Sequence, residues 1–144
     1  MKYVHSIEID QPLDKVIELF DNPDNMAKWQ PGFISFTHLS GTPGQPGAQS
    51  RIHYKMGKRK VDMIETILTR DLPREFSGTY ETPGVRNFIN NTFEVLDKNR
   101  TRWTSENEVR FSGLMKIFGF FMRGAFPKQS YQFMENFKEF AESE

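Results

Sequence analysis

Few residues in this sequence are suited to acid–base chemistry, and none cluster in an obvious motif. His5, Glu65 and Tyr80 are the candidates for moving a proton. A histidine is suited because its ordinary pKa lies near neutrality, and a buried carboxyl or phenol can be tuned towards it. The alternative for His5 is a strand histidine whose ring is simply packed or hydrogen-bonded, since most buried polar atoms find an internal partner. His38 and His53 stand apart, and no pair of histidines or carboxylates has metal-ligand spacing. With no cysteine as well, no metal site and no thiol chemistry are expected. No serine sits in a nucleophile elbow. The loop at 41–47 has glycines but lacks the lysine, hydroxyl residue and following helix of a phosphate loop, so no cofactor is expected.

A wider set of polar residues falls on uncharged strand faces: Ser35, Thr37, Tyr54, Asn87, Asn91, Ser105 and Asn107. Buried in a concave face, each must find a partner or cost about 1–3 kcal/mol. That partner is either a neighbouring side chain or water, or a bound molecule.

The elements that position these residues follow from periodicity. Tyr3, His5, Ile7 and Ile9 alternate with Val4, Ser6 and Glu8, which reads as a first strand. Pro12 and Asp14 open a helix whose stripe is Leu13, Val16, Ile17 and Phe20. Asn22-Pro23 starts a second short helix running to about Trp29. From Phe33 the period becomes two, with strands expected near 33–40, 49–56, 60–70, 75–82, 86–96 and 101–111. Short turns between them make an antiparallel meander. In the last strand Trp103, Ser105, Asn107, Val109 and Phe111 alternate with Arg102, Thr104, Glu106, Glu108 and Arg110, so one face is covered and the other meets water. The strand at 60–70 is ambiguous, with Val61, Met63 and Ile67 on one face and Ile64 and Leu68 on the other.

After Gly113 the period is helical to the end, with Pro127 as an interruption. Beyond it Ser130, Phe133, Met134, Phe137, Phe140 and Ala141 form one stripe. Residues 113–127 are apolar nearly all round, with Lys116 and Arg123 the only charges. Two readings stay open: a short buried helix packed under the sheet, or a movable lid hinged near Gly124 to Pro127 that also touches membranes. The segment is shorter than the roughly 20 residues a membrane span requires.

The 144 residues fit a single domain, 1–144. Fourteen Phe, four Tyr and two Trp are a large aromatic load, which must be buried or line something. Nineteen basic residues balance nineteen acidic ones, which argues against nucleic acid as partner. Arg51, Lys55, Lys58, Arg59 and Lys60 form one basic cluster. It reads as a solvated hairpin, with an anionic ligand or lipid headgroup as the alternative. The alternating N-terminus carries no visible secretion signal, so a cytoplasmic location is expected.

The order strand, two short helices, six strands, long helix resembles the helix-grip fold of the START-like (SRPBCC) superfamily. Local stretches resemble its polyketide cyclase/dehydrase branch: Ile7-Glu8-Ile9 with Gln11-Pro12-Leu13-Asp14-Lys15-Val16, then Phe20-Asp21-Asn22-Pro23-Asp24 with Trp29 and Pro31, and the closing Met134-Glu135-Asn136-Phe137-Lys138-Glu139-Phe140. The resemblance implies an α+β fold: a seven-stranded antiparallel sheet curved around a long C-terminal helix. It also implies a ligand cavity between the two. The expected lining is Tyr54, Tyr80, Asn91, Trp103, Ser105, Asn107, Phe133 and Phe137. The resemblance names no reaction, because related proteins include enzymes, carriers and sensors. Binding or carrying a hydrophobic small molecule or lipid is the leading expectation. A cyclase or dehydratase using a cavity acid–base group is the second, and would need two converging titratable groups. A protein-interaction domain is the third, and would need an exposed apolar patch.

Overall fold

The computed structural model describes all residues, Met1–Glu144. The elements in chain order are β1 (Lys2–Ile9), α1 (Leu13–Phe20), a 3-10 turn (Pro23–Asn25), α2 (Met26–Trp29), β2 (Phe33–Ser40), β3 (Gln49–Met56), β4 (Arg59–Asp71), β5 (Glu75–Thr82), β6 (Val85–Asp97), β7 (Arg100–Phe111), α3 (Met115–Met122) and α4 (Ala125–Glu142). The seven strands form one sheet in the order β1-β7-β6-β5-β4-β3-β2, antiparallel throughout.

The sheet curves, because it reaches α4 from two sides. On one side α4 lies along β1. Tyr3 Oη meets Ser130 Oγ at 2.7 Å, His5 Nε2 donates to the Pro127 carbonyl at 2.8 Å, and Lys138 Nζ donates to the Glu8 carbonyl at 2.6 Å. On the other side Gln129 Nε2 lies 3.4 Å from Met56 Sδ at the end of β3. A flat sheet could not bring β1 and β3 to one helix.

One end of the space between sheet and helix is filled with aromatic rings. Trp103 meets Phe137, Phe93, Phe20 and Trp29 at centroid separations of 5.3–6.3 Å. Ile7, Ile9, Val16, Leu19, Met134 and Ala141 complete this core. Of the α1 stripe, Val16 is buried in it and Leu13, Ile17 and Phe20 are half-buried against it, while Leu19, outside the expected stripe, is buried as well.

Two expectations are corrected. Ser35 and Thr37 do not face α4. A register shift between Phe33 and Ser35 pairs Ser35 with His53 and Thr37 with Arg51, whereas Phe33 and Phe36 pair with the inward Tyr54 and Ile52. One extra residue in a strand exchanges its faces. The terminal helix also starts earlier than Pro127 suggests, at Ala125. A proline in the first turn is tolerated because the N–H it lacks would have had no helical acceptor there.

The ambiguity of 60–70 is resolved by pairing. Ser50 pairs with Glu65 and Ile52 with Met63, so Val61, Met63, Glu65 and Ile67 share the inner face. Leu68 is left 44% exposed.

Residues 113–127 are not a buried helix. Within α3 only Gly119 is buried. A Cβ there would stand 2.5 Å from the Phe111 ring, so glycine lets the helix backbone rest on that side chain. Met115 is half-buried against Gly84, and the remaining residues of α3 are exposed.

Candidate functional site

Beyond the aromatic core the inner face turns polar. Cross-strand pairing sets Ser50, Glu65, Tyr80, Asn87 and Val109 in one row across β3, β4, β5, β6 and β7. Tyr3, Asn107 and Ile89 lie in the next row, and His5, Ser105, Asn91 and Phe76 in the one after. Trp103 opposes Ile7 and Phe93 in the row that meets the core. Alternation alone sends these residues to one side; the register of five strand pairs brings them side by side.

Glu65 and Tyr80 form the convergent pair that the sequence did not reveal. The Tyr80 hydroxyl donates to Glu65 Oε2 at 2.8 Å. Burial raises the Glu65 carboxyl above its usual range, and the Tyr80 hydrogen bond opposes that rise. Tyr80 as a whole is half-buried, but its hydroxyl end lies deep. Burial first, then the nearby Glu65 charge, holds that hydroxyl well above its ordinary value. Tyr54 is raised by the same two causes in the same order. Both phenols therefore stay protonated and act as donors at neutral pH, beside one carboxyl of increased proton affinity.

The remaining polar groups divide by partner. Tyr54 donates to Gln30 Oε1 at 2.5 Å, tying β3 to the end of α2. Trp103 Nε1 donates to Asn91 Oδ1 at 2.9 Å. Asn107 Nδ2 donates to Ser105 Oγ at 3.0 Å. Asn87 Oδ1 and Asn107 Oδ1 are buried and make no hydrogen bond to the protein.

Of the eight expected lining residues, Tyr54, Tyr80, Asn91, Ser105 and Asn107 share the polar half of the inner face. Trp103 joins the polar half to the core. Phe137, fully buried, belongs to the core itself, and the half-buried Phe133 packs against it through Trp29. His5 is not placed as a base: its Nε2 is engaged by the Pro127 carbonyl, and its ring sits between those of Tyr3 and Tyr131. Gln30 was not anticipated. It follows a helix in sequence, and nothing in that position signals a contact with a strand phenol 24 residues away.

The outer face carries one histidine–carboxylate pair, His53 Nδ1 with Asp62 Oδ1 at 2.8 Å, and both side chains reach solvent. A shallow groove of about 290 Å³ runs over Leu68, Thr79, Arg86, Phe88, Glu108 and Arg110. Its only acid, Glu108, is already paired with Arg110 at 3.0 Å.

The sequence matches, over residues 1–142, the model of the family described as polyketide cyclase / dehydrase and lipid transport. The chain belongs to that family. No curated protein matches its sequence, but solved structures share its fold. A conserved protein from Geobacillus kaustophilus is 17% identical with a TM-score of 0.79, covering 98% of this chain and 95% of its own. Ara h 8.0201 is 12% identical with a TM-score of 0.79, covering 100% and 99%. The Zhui aromatase/cyclase of a Streptomyces species is 17% identical with a TM-score of 0.77, covering 99% and 93%. At such identities the likeness extends to the helix-grip architecture, and residue roles must come from this chain's own geometry.

Proposed function

We propose that this family member binds a hydrophobic small molecule or lipid carrying a hydrogen-bond donor, held between the inner face of the sheet and α4. The observation that carries this reading is the pair of buried, unpartnered amide oxygens of Asn87 and Asn107, set beyond an aromatic floor. A buried acceptor without a partner costs about 1–3 kcal/mol, and a ligand hydroxyl or N–H would relieve that cost. Apolar walls with a few convergent polar groups are the usual make-up of such sites. Mass spectrometry of the folded protein under native conditions tests the reading, together with Trp103 fluorescence in a Trp29→Phe background. A co-purifying apolar molecule, or a saturable emission change with added long-chain alcohols and phenols, is expected. Absence of both sinks the proposal.

One observation favours a second reading, an enzyme of the cyclase or dehydratase type. Glu65 and Tyr80 supply the converging titratable pair which that chemistry requires. In this reading Glu65 takes a proton from carbon next to a substrate carbonyl, while a phenol donates a hydrogen bond to the developing oxyanion. Glu65→Gln separates the two readings: it abolishes turnover of a polyketide-like substrate if the protein is an enzyme and leaves binding in place if it is a carrier.

A further inference from the structure

Antiparallel order places several segments on one edge of the sheet. β3 and β5 end there, β4 and β6 begin there, and β7 ends there, leading into α3. The turn at 57–58 and the helix α3 therefore share an edge, and the contact of Gln129 with Met56 ties that turn to the first turns of α4.

This edge is apolar and basic. On α3 and the residue before it, Leu114, Ile117, Phe118, Phe120, Phe121 and Met122 are exposed, with Leu114 and Phe121 each 79% accessible. Lys116, Arg123 and Lys128 accompany them on the helical side, and Lys55, Lys58, Arg59 and Lys60 stand at the same end of the sheet on the turn. All seven are exposed, and none pairs with a carboxylate. Elsewhere Arg51, Arg70, Arg74, Arg86, Arg100, Arg102 and Arg110 are all in ion pairs. The segment between Glu108 and Glu135 contains no acid, and neither does 51–61. Lys2, Lys15, Lys28 and Lys98 are also free of carboxylates, but they are scattered, whereas these seven share one end of a chain of zero formal net charge with its largest exposed aromatic surface.

We propose that this edge docks on the surface of an anionic lipid bilayer. The aromatic side of α3 enters the boundary between headgroups and acyl chains, and the seven cations meet the headgroups. An eight-residue helix is far too short to cross, so the contact is peripheral. A symmetric pair of chains joined through α3 would set the same cations face to face, and that repulsion disfavours a second copy as the occupant. The contact uses no inner-face residue, so it stands apart from the identity of any ligand held there.

Sedimentation with large vesicles of phosphatidylcholine, with and without phosphatidylserine, tests the proposal. The full chain should partition to the phosphatidylserine vesicles, weakly to phosphatidylcholine alone, and less as salt is raised. The double variants Phe118→Ser/Phe121→Ser and Lys58→Glu/Lys60→Glu should each lower partitioning about tenfold or more. Their thermal midpoints should match the parent, because these side chains lie outside the core. Failure to bind phosphatidylserine vesicles overturns the proposal, as does undiminished binding by both variants. A stable dimer that shields the α3 amides without vesicles also overturns it, and would make a second copy the occupant.

Discussion

Tyr80 and Glu65 share a hydrogen bond of 2.8 Å on the inner face of the sheet, between the adjacent strands β4 and β5. The carboxyl is buried, and burial raises its pKa above that of an exposed glutamate. The relation has a consequence for stability. A raised native pKa means that the native state binds a proton the unfolded chain has already released. The contribution of Glu65 is then fully present below the ordinary glutamate value of about 4.3. It is lost as pH rises through the native value. Glu65→Gln keeps an acceptor for Tyr80 and removes the titration. Its urea midpoint should exceed the parent's at pH 7, with the difference shrinking towards pH 4. Parallel profiles for the two proteins would contradict this assignment.

Asn91 and Trp103 should behave as a unit. Asn91→Leu leaves the buried indole N–H without its acceptor and should destabilise by about 1–3 kcal/mol. Trp103→Phe in that background should cost less than it does alone, giving a coupling energy in a double-mutant cycle. Strict additivity in denaturant unfolding would show that the bond contributes nothing.

Phe137 is fully buried between Trp103, Trp29 and Phe20. Its replacement by Ala should cost about 3–5 kcal/mol, measured by chemical denaturation. Phe118→Ala, on the exposed side of α3, should shift stability by no more than about 0.5 kcal/mol. Equal losses from the two would mean that α3 is packed in solution.

Amide exchange should separate α3 from α4. Apart from Gly119 and Met115 the helix α3 offers little buried surface, whereas α4 is tied to β1 and the aromatic core. Exchange across 115–122 is expected to run well ahead of that across 130–141, as it does for segments with few buried contacts. Slowing of that exchange on ligand binding would be the mark of a lid. Uniform protection along both helices, unchanged by ligand, would leave α3 with a packing role alone.

The alternation of Trp103, Ser105, Asn107 and Val109 against charged neighbours determined by itself that one face of β7 is covered. The same local logic gave the meander, the α1 stripe and the terminal helix, because strand and helix periods are properties of neighbouring residues. It could not reveal that Glu65 meets Tyr80, since that contact depends on the register between β4 and β5. It could not place Ser35, since the bulge in β2 is set by how β2 must follow β3. The glycine-rich, nearly all-apolar run from Gly113 to Pro127 allowed both a buried helix and an exposed one. Only the tertiary structure decided, because the core end of the inner face is already covered by Met134, Phe137 and Ala141 of α4. Apart from Met115 and Gly119, resting on Gly84 and Phe111 at the sheet edge, α3 is left to solvent.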